Sequence, residues 1–379
     1  MSIFVSSLGR SKRGGPRRTG PDTGAPRHVR RAIKQRHACE RTARSVRTPL
    51  APSASLRCAV GLVVAISAVV WPRRAPAVDT IRFQTNQNQV VVQCGKRPLA
   101  TYVFRDAAIP RPYFAHVHAP NGQQVTRHHP PRAGRDATDH ATFHPGIWMA
   151  FGDINGHDYW RLKARVEHVA FVDAPRSEAG RGSFSVRNRY WSESGKEVVC
   201  SEVARYTFQI IPAGYLVHWD STFSSSAGEF SFGDQEEMGL GIRVATPIAV
   251  TNGGQIRNRD GQINEKQAWG KMSDWCDYSG TTAGFRIGMT LMPAPENFRR
   301  CWYHARDYGF CAANPFGRNA FTGGKKSKIK VAAGTSLRLR FGILLHAQPE
   351  TKPKQNLGQA YRAYLDQLNS LRRSNPDDK

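Results

Sequence analysis

Acidic residues are scarce in this sequence. It contains 29 Asp and Glu against 55 Lys and Arg, which gives a formal net charge of +26. A surplus of this size commonly indicates a nucleic-acid or membrane-surface partner. However, residues 1–78 contain 16 basic and 2 acidic residues, so +14 belongs to them and +12 to residues 79–379. In that body the basic residues alternate along predicted strands, as at Arg338 and Arg340, which is typical of a solvated strand face. We therefore predict no nucleic-acid partner and a weak preference for acidic ligands.

Long apolar runs are also missing. Apart from residues 58–71, no segment of the sequence approaches the roughly 18 consecutive apolar residues that a spanning helix needs. This excludes a polytopic membrane protein. The chain is 40% apolar and 10% aromatic, which does not fit an intrinsically disordered protein. Its 34 Gly and 23 Pro favour a globular protein with many loops.

The first 77 residues predict a leader. Residues 1–57 are rich in Arg, Ser, Pro and Gly without hydrophobic periodicity, so we expect a disordered basic segment. Residues 58–77 combine an apolar core with an exit at Ala75-Pro76-Ala77, which predicts a signal peptide cleaved after Ala77. The protein is then exported, to the periplasm or the extracellular space. An uncleaved signal anchor and a basic nucleic-acid arm are the alternatives, but the core is short for a membrane span.

Cysteine is infrequent, and the common cofactor motifs are missing. Five cysteines follow residue 77, and none forms a CxxC pair, so a zinc ribbon or a thioredoxin-type centre lacks support. One or two disulfides are possible; Cys301 and Cys311 are closest in sequence, although sequence alone does not fix the connectivity. GxGxxG and GxxxxGK[ST] loops and a GxSxG elbow do not occur, so Rossmann, P-loop and α/β-hydrolase chemistry lack support. The sequence identifies no cofactor.

The dominant pattern of the body has a period of two. Apolar residues alternate with polar ones or Gly over 336–346 and 284–292, and residues 205–211 and 215–223 flank a Pro-Ala-Gly turn. Such patterns indicate half-buried strands and a hairpin. We predict an all-β protein with one large antiparallel β-sandwich over residues 78–350. Residues 351–379 are predicted to form a C-terminal helix and a tail, because apolar residues recur at 3–4 spacing from Leu357 to Leu371.

Four stretches depart from ordinary strand and loop composition: residues 139–160, 232–246, 267–280 and 293–317. They contain HPGIWMAFGDINGHDYW, EEMGLGIRVA, WGKMSDWCDYSG and YGFCAANPFG, in this order. Together with RPYF and NGQQVTR in residues 111–127, they make residues 81–348 resemble a family of secreted bacterial proteins of unknown function that carry the label "methane oxygenase PmoA".

The resemblance implies a fold more than an activity. Subunits of particulate methane monooxygenase consist of membrane-spanning helices, whereas this body is predicted to consist of strands, so we interpret the oxygenase label as a misnomer. By analogy, the family resemblance implies a large sandwich similar to galactose-mutarotase-like carbohydrate enzymes.

The four stretches also suggest a carbohydrate site. A sugar offers hydroxyl groups and apolar C–H faces, so its binding sites combine aromatic platforms with polar side chains. Proton transfer on a sugar needs a carboxylate or a His opposite a second such group. The candidate catalytic residues are His140, His144, Glu237 and His304. The candidate substrate-binding residues are Asp153, Asn155, Trp148, Glu236, Arg243, Trp269 and Asn314. The structural interpretation is that these aromatics belong to the core and that the turn residues only close loops.

Other functions remain open. The chain would act as a lyase, epimerase or hydrolase, or it would be a non-catalytic binding or structural module of the cell surface. A metalloenzyme is a further alternative, with His140 and His144 joined by His168, Glu237 or His304 around copper or zinc. Calcium at Asp153, Asn155 and Asp158 would lack the EF-hand pattern. We assign no metal ligand.

Overall fold

The computed structural model describes residues 79–374, with side chains as far as residue 370. The predicted basic leader (1–57), the predicted signal peptide (58–77) and the last residues of the predicted tail lie outside the described residues. None of the helices in the described part is long and apolar enough to cross a membrane.

Strands dominate the described part of the chain. In chain order they are β1 (Ile81–Thr85), β2 (Gln89–Cys94), β3 (Arg97–Val103), β4 (Tyr113–Ala115), β5 (Ile147–Phe151), β6 (Val166–Glu178), β7 (Arg181–Trp191), β8 (Val198–Ile211), β9 (Gly214–Ser224), β10 (Phe230–Phe232), β11 (Met238–Arg243), β12 (Gln255–Asn258), β13 (Cys276–Thr282), β14 (Phe285–Pro293), β15 (Trp302–Arg306), β16 (Phe310–Asn314), β17 (Ile329–Val331) and β18 (Ser336–Pro349). The helices are α1 (Asn264–Ala268), α2 (Arg318–Thr322) and α3 (Leu357–Ser374), with 3-10 turns at Thr246–Ile248 and Val250–Asn252.

The strands form two large antiparallel sheets. The first sheet has eight strands in the order β1-β2-β3-β4-β5-β11-β16-β15, and the second has eight in the order β12-β13-β14-β18-β9-β8-β7-β6. A two-stranded sheet pairs β10 with β17. Side chains from the two large sheets meet in one core, where Phe114 of the first sheet contacts Tyr206 of the second with ring centroids 5.0 Å apart. The predicted all-β sandwich is therefore confirmed.

The C-terminal helix explains one departure from the predicted pattern. Residues 336–346 were expected to form a half-buried strand, yet both faces of the central part of β18 are buried. Leu344 faces away from the main core and packs in a separate cluster with Tyr364 and Leu368 of α3. Gly342 lies directly under the ring of Tyr364. The helix predicted from the 3–4 spacing is confirmed, and it covers the outer face of the second sheet at this point.

The five cysteines of the described residues lie in the core as free thiols. Cys276 lies on β13 of the second sheet and Cys311 on β16 of the first, and their Sγ atoms are in contact across the core at 4.0 Å. The pairing of Cys301 with Cys311, suggested by their closeness in sequence, does not form. Ala305 is the residue opposite Cys311, and Cys301 lies four positions further along, or about 13 Å in an extended strand.

Small residues line the outer face of the first sheet. Gly241 of β11 lies between Trp148 of β5 and Ala312 of β16, its register partners. A Cβ atom at Gly241 would come within 2.7 Å of the Trp148 ring, closer than real side-chain atoms approach. The absence of a side chain at this position lets large rings lie flat on the sheet, and the candidate site is built on this surface.

Candidate functional site

A stack of rings lies on the outer face of the first sheet. It consists of Tyr308, His140, His144, Trp148 and Phe310, and we call it the ring stack. His140 and His144 are stacked with centroids 4.7 Å apart, and His144 stacks in turn on Trp148 at 4.9 Å and on Phe310 at 4.6 Å. Tyr308 covers the outer side of His140 at 5.8 Å. The stack therefore runs from a buried base at Trp148 to an accessible top at His140 and Tyr308.

A buried arginine fixes the loop that carries the two histidines. Arg127 is 1% exposed. Its Nη1 donates to the carbonyl oxygens of Ala137 and Asp139, and its Nη2 donates to those of His140 and His144. A buried guanidinium needs such acceptors because its charge has lost water. Burial, followed by the nearby charge of Arg243, lowers the pKa of Arg127 to about 10. The loop is thus ordered by contacts beneath it.

The two histidines of the stack differ sharply in exposure. The His140 side chain is 44% exposed, whereas His144 is 4% exposed. Burial, together with the positive groups around it, lowers the pKa of His144 well below its ordinary value, so its ring is neutral. Its Nδ1 has no hydrogen-bond partner among the described residues. Of these two histidines, only His140 is therefore placed to contact a ligand directly.

Asp139 orients His140. One carboxylate oxygen lies 2.9 Å from Nδ1 of His140, and both oxygens accept hydrogen bonds of 2.7 Å from the guanidinium of Arg243. Burial alone would raise the pKa of Asp139, but the hydrogen bonds from Arg243 and His140 outweigh it and hold that pKa well below its usual value. With a carboxylate accepting at Nδ1, the Nε2 atom of His140 is left as the acceptor. Asp139 was not among the predicted site residues, although it directly precedes His140.

A second polar group lies next to the stack. The edge of His304 meets the face of Phe310 at 4.9 Å and 83°. Its Nε2 lies 3.2 Å from Oε2 of Glu236, and its Nδ1 lies 3.2 Å from the carbonyl oxygen of the same residue. Arg306 also donates to Oε2 of Glu236 at 3.2 Å and to Oε1 of Glu265 at 2.8 Å. We call His304, Glu236, Arg306 and Glu265 the Glu236 network.

His304 faces two acceptors of Glu236, its carboxyl group and its carbonyl oxygen. Burial, and then the charge of Arg306, lowers the pKa of His304 to about 3, so the ring is neutral and has a single N–H. Burial raises the pKa of Glu236, and the charge of Glu237 raises it further, against the opposing effect of Arg306. The neutral ring can donate to only one of its two acceptors on Glu236. The second contact becomes a hydrogen bond when the carboxyl group of Glu236 is protonated.

Glu237 and Trp269 flank this network. Oε2 of Glu237 forms an ion pair with Arg161 at 2.8 Å, and Arg161 also forms an ion pair with Asp158 at 3.1 Å. Trp269 is half-buried and lies with its ring 5.8 Å from the guanidinium of Arg306. Glu237 thus acts on Glu236 through its charge, while Trp269 is the partly accessible tryptophan beside the network. Trp148, by contrast, is completely buried.

Three further predicted residues serve the backbone. The amide nitrogen of the buried Asn314 donates to the carbonyl oxygens of Gln235 and Glu236, and its oxygen accepts from the backbone after β16. It fixes the turn that carries Glu236. Asp153 and Asn155 follow β5 at the end away from His144, where their oxygens accept from Gly156 and from Ser231. The structure does not bring these two residues to the ring stack.

The arrangement does not favour a metal centre. Within residues 79–374, no group of three or more His, Cys, Asp or Glu side chains is arranged to hold a metal ion. The rings of His140 and His144 are stacked with an angle of 18° between their planes, so their in-plane lone pairs do not converge. His168, a suggested third ligand, lies on β6 of the second sheet, where its ring packs against Phe104 at 4.4 Å.

Several residues of the site were missed at the level of sequence. Tyr308, Phe310 and Arg306 belong to the fourth unusual stretch, and Glu265 belongs to the short helix α1. Alternation along β15 and β16 would have placed Arg306 and Phe310 on the same face as His304, once the strands were paired. Arg127 ends the NGQQVTR motif, but its role could not be predicted from the sequence because its partners are backbone carbonyl groups.

Comparison with known proteins gives a family and a set of distant structures. A family model described as "Family of unknown function (DUF6807)" matches residues 89–357. No curated protein matches the chain.

Among solved structures, the chain is similar to a galactose mutarotase-like protein from Lactobacillus casei (11% identity, TM-score 0.34, covering 70% of this chain and 100% of that one). A putative mutarotase from Salmonella typhimurium (10%, 0.32, 72% and 97%) and an aldose epimerase homologue from C. elegans (10%, 0.29, 71% and 99%) are also similar. Identities and TM-scores of this size are too low to transfer an activity or a substrate.

Proposed function

The chain belongs to the family of unknown function DUF6807, and we propose that it acts on a carbohydrate, with His140 accepting a proton from the substrate and Glu236 donating one to it. The observation that carries this proposal is the pair formed by Glu236 and His304. It lies on the same sheet face as the accessible His140, to which it is linked through the rings of Phe310 and His144. His140 would accept a proton at Nε2, since Asp139 occupies its Nδ1. Glu236 would supply the second proton from its carboxyl group.

The surroundings suit a sugar better than an apolar ligand. Trp269 and Tyr308 are partly accessible rings, and each lies beside an arginine, at 5.8 Å for Arg306 and 4.6 Å for Arg243. Rings of this kind pack against the C–H faces of a sugar, while charged side chains bind its hydroxyl groups. The opening of an aldose ring needs one base and one acid, the roles proposed for His140 and Glu236. A base removes the proton of the anomeric hydroxyl, an acid protonates the ring oxygen, and the bond between the anomeric carbon and that oxygen breaks.

A non-catalytic binding module is the second candidate. The carboxylates of this face are already paired with arginines: Asp139 with Arg243, Glu237 with Arg161, and Glu236 with Arg306. Such pairs give a rigid polar surface that can bind a glycan without turnover. This candidate predicts that removing the acid of Glu236 changes affinity and nothing else.

The leader and the domain boundaries were predicted from the sequence alone. We propose that the protein is secreted and that the segment ending at Ala77 is removed, on the basis of the apolar core and small-residue exit in the sequence. The sandwich boundaries at residues 78 and 350 stay predictions. The resemblance to proteins labelled PmoA also stays a prediction, and we propose no oxygenase activity. Sequencing the N-terminus of the secreted protein tests the cleavage site.

The test of the function is Glu236→Gln. A panel of free aldoses, uronic acids and oligosaccharides is screened with the wild-type protein, and anomer exchange is followed by NMR alongside lyase and hydrolase assays. Loss of a general acid costs roughly 100-fold or more in rate, so we expect Glu236→Gln to lose that much turnover while its melting temperature stays near that of the wild type. Glu350→Gln, at an exposed glutamate, is the matched control.

Two results would contradict the proposal. Unchanged turnover in Glu236→Gln would remove the proposed acid. Saturable binding of a glycan by the wild type without turnover of any substrate would establish the binding module instead.

A further inference from the structure

A polar cavity lies on the second sheet, away from the ring stack. It has a volume of about 280 Å³ and lies on the outer face of β12, β13, β14 and β18, beside the segment that leads into α3. Its floor is formed by a buried Asp277 and His346, and its wall by Arg286 and Gln348. This cavity is slightly smaller than the ~300–1,000 Å³ of typical pockets for drug-sized ligands, so it fits a smaller molecule.

The floor is a pre-organised carboxylate. Asp277 accepts hydrogen bonds from Ser279 at 2.7 Å and from Thr290 at 2.7 Å, and its Oδ1 lies 2.8 Å from Nε2 of His346. Asp277 and His346 are 5% and 4% exposed. Gly288 permits this contact, because it is the register partner of both Ser279 and His346 and a side chain there would collide with them.

Neighbouring groups stabilise the ionised form of Asp277. Burial alone would raise its pKa, but the charge and hydrogen bond of His346 and the two hydroxyl donors lower it. The carboxylate is therefore ionised and its acceptor capacity is largely used. Because Asp277 already accepts these hydrogen bonds, it repels an anion in the cavity less strongly than an unpaired carboxylate would.

The wall contains polar atoms that lack partners. Nη1 of Arg286 and Oε1 of Gln348 are buried atoms without a hydrogen-bond partner among the described residues. The two residues are register partners on β14 and β18, and both line the cavity. A buried polar atom without a partner is costly, so a ligand that reached these two atoms would supply hydrogen bonds that the described residues do not.

Two more cations line the same cavity. Arg257 of β12 and Lys354, which lies before α3, are exposed residues of its wall. With Arg286 they bring three positive charges against the single carboxylate of Asp277. Gln355, next to Lys354, is held in place by its donation to the carbonyl oxygen of Ala213, so the segment that carries Lys354 is anchored to the second sheet.

We propose that this cavity is a binding site for a small hydroxylated oxyanion of about monosaccharide size, such as a sugar acid. Arg286 would bind the oxyanion, with Arg257 and Lys354 supplying further positive charge. Gln348, Ser279 and Gln255 line the cavity and would bind the hydroxyl groups. The site is independent of the proposed reaction at His140 and Glu236, which lies on the other sheet.

The experiment titrates the full-length protein with glucuronate, inorganic phosphate and glucose by isothermal calorimetry. We expect saturable binding of glucuronate and weaker binding of phosphate, whereas any binding of glucose should be unaffected by Arg286→Gln. Arg286→Gln should weaken glucuronate binding at least tenfold, because it removes a charge-assisted contact. Lys354→Gln, at an exposed position that the fold does not need, should weaken it as well. Arg189→Gln, at an exposed arginine of β7, is the control and should change nothing.

Each outcome has a clear meaning. Absence of saturable binding by both anions overturns the proposal, and so does binding that Arg286→Gln and Lys354→Gln leave unchanged. Equal affinities for glucuronate and phosphate would overturn the part that concerns hydroxyl groups. Glu236→Gln should leave the titration unchanged, which separates failure here from failure of the proposed function. A glucuronate titration that Glu236→Gln abolishes would instead assign the ligand to the first sheet.

Discussion

At the scale of single residues, the site is governed by how burial divides similar side chains into different roles. His140 and His144 come from the same loop, yet one is accessible and hydrogen-bonded to Asp139 while the other is enclosed by Trp148 and Phe310. Glu236 and Glu237 are adjacent in sequence, but the first contacts His304 and the second contacts Arg161. The chemistry follows from these environments and not from residue type.

The buried His304 makes stability depend on pH. Its pKa falls from 6.5 to about 3 in the folded protein, so the unfolded chain binds a proton at a pH where the folded protein does not. Stability from this residue is complete above pH 6.5 and is lost as the pH falls from 6.5 towards 3. At pH 5 the loss is about 2 kcal/mol, since one pKa unit corresponds to about 1.4 kcal/mol.

We expect His304→Gln, which cannot titrate, to unfold with a flatter pH dependence than the wild type. Urea unfolding at several pH values between 7.5 and 4.5 measures this difference. At pH 7.5, where the wild-type ring is neutral in both states, the offset between the two proteins reports only lost packing and hydrogen bonds. Parallel curves across the whole range would show that His304 does not contribute to the acid sensitivity.

At the scale of structural elements, the loop before β5 depends on one side chain. Arg127 donates to four backbone carbonyl groups of this loop, and no other residue type has the reach and the donors to replace it. We predict that Arg127→Met destabilises the protein by about 3 kcal/mol, because buried carbonyl groups lose their donors. Hydrogen exchange should rise mainly in residues 137–144, and turnover should fall with the loss of an ordered His140.

Arg135→Met is the matched control for this prediction, since Arg135 lies in the same loop and is exposed. It should leave both exchange and stability unchanged. Uniform exchange throughout the sandwich in Arg127→Met would mean that the arginine stabilises the whole fold and not the loop.

The same scale explains what could be predicted from the sequence. Alternation over residues 336–346 and the 3–4 spacing after Leu357 predicted β18 and α3, because such patterns record which side chains face the core. They did not predict that α3 covers Leu344, because that contact depends on the path of the chain after β18. The site was harder to predict for the same reason. Asp139 and Arg243 are 104 positions apart, and only the pairing of β5 with β11 brings their segments together.

Composition located the site but could not assign roles within it. The four unusual stretches contained His140, His304, Glu236 and Trp269, which do share one sheet face. They also contained Asp153 and Asn155, whose oxygens accept hydrogen bonds from turn and strand backbone. Turn residues and ligand-binding residues are the same amino-acid types, so composition alone cannot separate them.

At the scale of the whole molecule, the two sheets present different chemistry. The outer face of the first sheet carries rings and paired carboxylates, whereas the cavity on the second carries an excess of positive charge. Part of the +12 charge of residues 79–379 therefore lies in this cavity, while the +14 of residues 1–78 belongs to the predicted leader and one following residue. Removal of that segment would change how the protein interacts with polyanions.

The basic leader predicts a non-specific affinity of the uncleaved chain for DNA, which is separate from the prediction that residues 79–379 have no nucleic-acid partner. A segment with 16 basic and 2 acidic residues binds duplex DNA through phosphate contacts, and each contact releases counterions and steepens the dependence on salt. We expect the 379-residue chain to bind mixed-sequence DNA at 50 mM salt and to lose about tenfold or more in affinity by 200 mM. A chain that starts at residue 78 should bind at least tenfold more weakly at 50 mM salt, with a shallower slope. Fluorescence anisotropy at several salt concentrations measures both quantities. Equal affinities and equal slopes would mean that the body binds the DNA, and the prediction that it has no nucleic-acid partner would then be wrong.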